Sequence, residues 1–220
     1  GLKAQGLAER CAREGGGLVF PTLYYGENRE GELIELFDEY QPAICETMGL
    51  DPAGFATGYM GRKFSEQSAA YRDLLLHILY QARSLGFRVI VFVAGHYPLL
   101  RCADAACRVF HQECRRSDPS RFIPATFSFS DYELVTDVHP DIEDHAGFWE
   151  TSLLMALFPE LVDLNELPVD ENKLQGVLNS SRPVREASAE FGEEAVGLIV
   201  GRAVKEVQDR LQDPARFYQR

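Results

Sequence analysis

The segment 89–94, Val-Ile-Val-Phe-Val-Ala, constrains the fold most, because it is a continuous apolar run of mostly β-branched residues. Such a run is typical of a strand buried on both faces, as in a parallel sheet covered by helices. It leads into Gly95-His96-Tyr97-Pro98, where glycine permits a sharp turn and proline suits the first turn of a helix. Ligands of open α/β sheets gather beyond the carboxyl ends of the strands, so His96 is a candidate ligand. A purely structural loop histidine is the alternative.

Helical and strand-like patterns alternate along the rest of the chain. Together they predict an α/β fold, a three-layer, doubly wound and mostly parallel sheet flanked by helices. One domain over residues 1–220 is the natural arrangement for a chain of 220 residues. The expected helices are 2–14, 32–47, 65–85, 98–115, 151–158 and 186–212, and the expected strands are 17–23, 88–94 and 122–129. Between them we expect a glycine-rich loop over 49–64 and an irregular excursion over 165–185.

Composition narrows the function classes. The net charge of −12 argues against nucleic acid or an anionic membrane surface as a partner. The sequence has no run of about 18 apolar residues, so no membrane span is predicted. The five cysteines lack metal-ligand spacing, and their odd number favours a reducing, cytoplasmic location. We therefore expect a cytoplasmic protein that acts on a small molecule, and we interpret His77, His111 and His139 as structural or solvated.

A second motif lies at 144–152 and reads Asp-His-Ala-Gly-Phe-Trp-Glu-Thr-Ser, followed by an apolar run. It predicts a buried helix that begins near Glu150, with Thr151 or Ser152 as its cap and backbone N–H groups left for a ligand. An imidazole and a carboxylate together bind Zn²⁺, Mn²⁺ or Fe²⁺. For this motif alone, a capped core helix with a chance histidine nearby is the simpler alternative.

The two motifs together resemble the creatininase (creatinine amidohydrolase) family, in which a strand ends in Gly-His and a later segment reads His-Ala-Gly-x-x-Glu-Thr-Ser. The second string is fairly specific, whereas Gly-His-Tyr alone is weak. Further similarity covers 18–26, 158–162 and 186–193. The resemblance implies a creatininase-like α/β fold. It also implies a metal-dependent hydrolase that opens a cyclic amide, or cleaves a related C–N bond, with a metal-activated water.

The resemblance also implies roles for three residues. His145 matches the catalytic histidine of the family, which passes a proton to the leaving nitrogen. His96 and Glu150 are the candidate metal ligands for Zn, Mn or Fe. Creatininase itself has a glutamate ligand two residues after the strand-end histidine, where this chain has Pro98, so Glu150 gains importance as the carboxylate ligand.

Substrate contacts are expected from Tyr97, Trp149 and Asp144. The two aromatic residues, like Phe148, are equally compatible with a core position. Either Asp144 or Asp141 is expected to orient the imidazole of His145. The only tryptophan is Trp149, and no equivalents of the aromatic contacts of creatininase precede His145, so creatinine itself is a poor candidate substrate. Weaker candidates for polar pocket contacts are Glu27, Asn28 and Glu30.

The metal-binding Glu-x-His and Asp of the family, with its first strand, have no counterpart in this sequence. We expect them to lie upstream of it; a homologue that lacks half of the metal site is the alternative. A homo-oligomer, a hexamer by the resemblance, is also expected. Two other functions remain open: hydrolysis of an oxidised cyclitol or another non-amide ring, and a non-catalytic binding or scaffold role.

Overall fold

The computed structural model describes residues 1–24, 41–55, 64–117, 120–140, 142, 144–170 and 173–218. The predictions for Glu27, Asn28, Glu30 and Asp141 fall outside these residues. In chain order the described helices and strands are α1 (Leu2–Gly15), α2 (Gln41–Met48), α3 (Phe64–Ser84), β1 (Val89–Ala94), α4 (Pro98–Ser117), β2 (Ala125–Ser130), α5 (Phe148–Leu157) and α6 (Ala189–Gln212). Single 3₁₀ turns occur at Pro52–Phe55, Pro159–Leu161, Leu164–Glu166, Val184–Glu186 and Pro214–Phe217.

The strands β1 and β2 form a parallel pair connected through α4, with Val89 opposite Ala125 and Ala94 opposite Ser130. This β–α–β unit confirms the predicted strand and the helix that begins at Pro98. The predicted burial of the strand on both faces is wrong, because Ile90 is buried whereas Val91 is exposed and the other residues of β1 are half-buried. The parallel strands and flanking helices agree with an α/β fold. The described residues contain these two strands, so the additional strands of a three-layer, doubly wound sheet stay a prediction.

Side chains alternate across the two strands, so that each face of the pair packs against different helices. On one face Ile90 joins a cluster with Leu79 of α3 and Phe110 of α4. On the other face Phe129 joins a cluster with Leu7 of α1 and with residues of α5 and α6. Beyond the carboxyl ends of the strands, His96 and Tyr97 are partly buried and Asp131 is fully buried.

The predicted strand at 17–23 is wrong. Residues 16–24 have no regular secondary structure, and their apolar side chains are exposed, with Leu18 at 74% and Phe20 at 55%. The apolar run has the composition of a strand, but no described strand pairs with it. Within this segment, the ring of Phe20 packs edge-to-face against the ring of Phe87, with centroids 5.7 Å apart.

The helix α6 packs directly across α5. A Cβ atom at Gly192 would overlap the backbone carbonyl of Ser152, so this crossing requires glycine. The α6 helix begins after Ser188, whose hydroxyl accepts a hydrogen bond from the N–H of Phe191 at 3.2 Å. None of the described helices is long and apolar enough to cross a membrane.

Candidate active site

The helix α5 begins at Phe148, two residues before Glu150, near which its start was predicted. Its N-terminus is capped by side chains of residues that lie outside the helix. Both carboxylate oxygens of Asp144 accept backbone N–H bonds, from Trp149 at 2.7 Å and from Glu150 at 3.1 Å. The hydroxyl of Ser180 accepts a bond from the N–H of Phe148 at 2.8 Å. A Cβ atom at the intervening Gly147 would collide with the Asp144 carboxylate and the Ser180 hydroxyl, so glycine is needed here.

This capping corrects two predictions. Thr151 and Ser152 do not cap the helix; the Ser152 hydroxyl instead donates to the carbonyl of Phe148 at 2.7 Å. The backbone N–H groups of the first turn are also already bonded, since the N–H of Thr151 reaches the carbonyl of Gly147 at 3.0 Å. They therefore offer no ready site for an anionic ligand.

His145 is held by the excursion rather than by a carboxylate. Its Nδ1 atom lies 2.6 Å from the carbonyl oxygen of Gly176, and its backbone forms a two-way bridge with Leu178 at 3.0 Å in each direction. A carbonyl only accepts hydrogen bonds, so Nδ1 donates, and in the neutral form of the ring the lone pair is on Nε2. Either Asp144 or Asp141 was predicted to orient this ring. Asp144 caps α5 instead, Asp141 lies outside the described residues, and the observed partner of Nδ1 is the carbonyl of Gly176.

Glu150 lies between the turn and the helix α1. Its Oε2 atom accepts the N–H of Ala146 at 2.9 Å, and its Oε1 atom lies 2.5 Å from Nζ of Lys3. Burial raises the pKa of Glu150, but the charge and hydrogen bond of Lys3, the Ala146 N–H and the charge of His145 act more strongly, so the pKa lies below its usual value. The carboxylate therefore stays ionised beside the imidazole.

Asp131 directly follows β2, as His96 and Tyr97 follow β1. Its Oδ2 atom accepts the indole N–H of Trp149 at 2.8 Å and lies 3.1 Å from Nζ of Lys3. The sequence analysis missed both Asp131 and Lys3. The signal for Asp131 was its place beyond a strand end, and the signal for Lys3 was a charge on the buried stripe of α1 with Ala4 and Leu7.

The two aromatic residues predicted to contact the substrate differ in their burial. Trp149 is fully buried, so the alternative of a core position applies to it. It has no exposed surface with which to contact a substrate. Tyr97 is partly buried, with its ring 5.4 Å from Nζ of Lys3 and 4.5 Å from the ring of Tyr132. Burial, followed by the charges of Asp131, Glu150 and Asp144, raises the pKa of Tyr97, so its phenol stays neutral.

Asp144 is also buried, and its pKa lies above its usual value. Burial is the main cause, opposed by the two backbone N–H bonds of α5 and reinforced by the charge of Glu150. Three carboxyl groups, those of Asp131, Asp144 and Glu150, thus share one region with the ammonium group of Lys3 and the amine of Gly1.

The donor chemistry of this region suits a cation, although the described residues contain no cluster of three or more His, Cys, Asp or Glu side chains placed to hold a metal ion. The Oδ1 atom of Asp131 is buried and has no hydrogen-bond partner among the described residues. Buried carboxylate oxygens are normally paired. His96 lies beyond the end of β1, as predicted, and its Nε2 atom is buried.

Comparison with known proteins shows the family of this chain. The creatininase (creatinine amidohydrolase) family model matches residues 53–207, about 70% of the chain. The chain belongs to the creatininase family. No curated protein sequence matches it.

Solved structures support the fold. A creatinine amidohydrolase (creatininase) structure aligns with a TM-score of 0.62 and 21% identity, covering 94% of this chain and 80% of that one. A mutant creatininase of the Zn-Zn type aligns at 0.63 and 20% over 95% and 81% of the two chains. A structure titled creatininase Mn aligns at 0.62 and 20% over 94% and 81%. At these identities the likeness establishes a creatininase-like fold.

Proposed function

We propose that this protein is a metal-dependent hydrolase that opens a cyclic amide or cleaves a related C–N bond. The observation that carries the proposal is the turn at His145, where the carbonyl of Gly176 fixes the Nδ1 atom of an exposed histidine near the ionised Glu150. A fixed, solvent-accessible imidazole beside a carboxylate is suited to general acid–base catalysis. Membership of the creatininase family supports the reaction class.

In the proposed reaction, the oxygen of a water molecule bonds to the amide carbon while Nε2 of His145 takes up the proton. The same nitrogen then gives that proton to the leaving amine as the C–N bond breaks, so the products are a carboxylate and an amine. Glu150 stabilises the transiently charged imidazolium through its negative charge. Tyr97, neutral and partly buried, forms an apolar wall beside the charged groups.

The proposed cofactor is a divalent ion, Zn²⁺, Mn²⁺ or Fe²⁺, with His96 and Glu150 as the residues of this chain that would hold it. When bound, such an ion supplies an activated water and polarises the carbonyl. The titles of the Zn-Zn and Mn creatininase structures support this choice of metals. The Oε1 atom of Glu150 can bind the ion only if Lys3 gives up its contact with that atom.

The experiment is a turnover screen of lactams, cyclic imides and cyclic ureas, with creatinine and an oxidised cyclitol included, using protein loaded with Mn²⁺ or Zn²⁺. His145→Ala is expected to lower turnover by about 10²–10⁴-fold while metal content stays unchanged. His77→Ala, on the exposed side of α3, is the matched control and keeps full activity. Glu150→Gln is expected to weaken metal binding, because an amide is a poorer ligand than a carboxylate.

Two outcomes contradict the proposal. If His145→Ala loses the metal while Glu150→Gln keeps it, the two roles are reversed. If no ring compound is turned over by metal-loaded protein, the non-catalytic binding role replaces the hydrolase. A substrate without an amide, such as the oxidised cyclitol, would instead move the proposal to a different bond.

We also propose a homo-oligomer, on the family resemblance. Sedimentation velocity at micromolar concentration is expected to give a species heavier than the 24.7 kDa chain. A single species of one chain's mass would contradict this.

A further inference from the structure

Lys3 occupies an unusual position for a lysine. It lies in the first turn of α1, is only 9% exposed, and projects its ammonium group between two carboxylates that come from separate elements. Its Nζ atom lies 2.5 Å from Oε1 of Glu150 and 3.1 Å from Oδ2 of Asp131. Lysine is almost never buried to this extent unless it is paired. The ammonium group is thus the cation that holds the two carboxylates together.

Lys3 does not pair every buried polar atom of this region. Asp131 is 1% exposed, and its Oδ1 atom has no hydrogen-bond partner in the described part of the chain. The buried hydroxyls of Ser130 and Tyr97 also have no partner there. Buried polar atoms in folded proteins are nearly always bonded to protein, water or an ion. Oxygen atoms without a partner in the described part of the chain therefore lie at the carboxyl ends of β1 and β2, next to the carboxylates that Lys3 contacts.

We propose that Lys3 and a divalent cation are alternative partners of the carboxylates of Asp131 and Glu150. A metal ion bonded to these carboxylates at about 2.0–2.2 Å, for example through the Oδ1 atom of Asp131, would lie close to the ammonium group that the same carboxylates hold, and two buried cations that close repel each other. Metal binding therefore expels the ammonium group from between Asp131 and Glu150. Without metal, Lys3 offsets part of the charge of the carboxylates, and it lowers the affinity of the site by competition.

This inference rests on the proposed function, because it takes Glu150 to be a metal ligand, and it adds Asp131 and Lys3 to that site. The test measures binding and not turnover, so an inactive protein does not decide it. Mn²⁺ and Zn²⁺ are titrated by calorimetry into the wild type, Lys3→Met and Lys205→Met. Lys205 is the matched control, an exposed lysine that pairs with Asp209 at 2.6 Å.

Lys3→Met is expected to bind Mn²⁺ about tenfold more tightly or better, because the competing cation is gone. Lys205→Met is expected to match the wild type. Adding Asp131→Asn to Lys3→Met is expected to remove the gain, since the amide oxygen carries no charge. An affinity of Lys3→Met equal to that of the wild type, including no binding by either, overturns the proposal.

A second measurement uses the wild type and so does not depend on the stability of a variant. Acetylation of Lys3 by acetic anhydride is followed by mass spectrometry, with Lys205 as the internal reference. At a Mn²⁺ concentration that saturates the wild type, the expelled Lys3 is expected to react several-fold faster, while Lys205 is unchanged. Acetylation of Lys3 that does not respond to saturating Mn²⁺ overturns the proposal.

Discussion

Two histidines each bond a backbone carbonyl, but they lie in regions of opposite character. His111 of α4 contacts the carbonyl of Pro124 at 3.1 Å and is completely buried in the cluster with Phe110. His145 contacts the carbonyl of Gly176 at 2.6 Å, and its side chain is exposed. The carbonyl selects the protonated nitrogen in both rings. Burial decides whether the ring can exchange a proton with its surroundings, so only His145 is suited to proton transfer.

The two rings also differ in how many charged groups surround them. Around His111 the nearest rings are those of Phe110 and Tyr218, at centroid distances of 5.7 Å and 5.5 Å, and Arg115 is a nearby charge. Around His145 the neighbours include Glu150 and the charged groups that contact it. The first region gains its stability from packing. The second holds charges at the cost of packing, which is typical of functional sites.

The largest expected effect is on stability, and it differs between the two histidines. His111→Ala should lower the free energy of unfolding by about 2–5 kcal/mol, because it leaves a cavity and an unbonded carbonyl at Pro124. His145→Ala, on the surface, should change it by about 0.5 kcal/mol or less. Urea unfolding of both variants measures the difference. Equal losses would show that His145 is also a packing residue.

The next effect concerns the cap that positions Glu150. Asp144→Ala should destabilise the protein by about 0.5–2 kcal/mol, because the N–H groups of Trp149 and Glu150 lose their acceptor. Asp144→Asn keeps one acceptor oxygen and should lose less. Asp163→Ala is the matched control, since Asp163 is exposed and caps only a 3₁₀ turn. If Asp163→Ala costs as much as Asp144→Ala in urea unfolding, the buried cap has no special role.

The smallest effect is a pH dependence. Burial lowers the pKa of His111 from its usual 6.5, opposed by the bond to Pro124 and reinforced by the charge of Arg115. The unfolded chain therefore takes up a proton first as the pH falls below about 6.5, and the folded state loses stability from there down to its lower pKa. His111→Gln should remove this part of the slope. Unfolding free energies of both proteins at several pH values between neutral and mildly acidic test this, and parallel curves would refute it.

The strand β1, the helix that begins at Pro98 and the position of His96 at a strand end were predictable, because they depend on local composition and on a general rule of α/β sheets. The helix start at Phe148 was misplaced by two residues. Its cap comes from Asp144 and from the hydroxyl of Ser180, and no local pattern around Thr151 reveals a partner 32 residues away in the chain.

The site was only partly predictable, for a different reason. Lys3 and Asp131 acquire their roles from charges brought together by folding, and their side chains alone carry no motif. The partner of His145 is the backbone carbonyl of Gly176, which any residue type would supply, so residue identity contains no signal for it. Lys3 was nevertheless detectable in principle, because a lysine on the buried stripe of an amphipathic helix needs a partner.

Gly176 connects the imidazole to a distant helix. Its carbonyl accepts from His145, and its N–H donates to the carbonyl of Thr47 in α2 at 2.8 Å. Its φ of 78° is a conformation that other residues adopt with strain. The amide hydrogen of Gly176 can exchange with solvent deuterium only when the contact with Thr47 opens. The exchange rate of this one amide therefore reports, without a substrate or an assay, how firmly the protein holds the orientation of its exposed histidine.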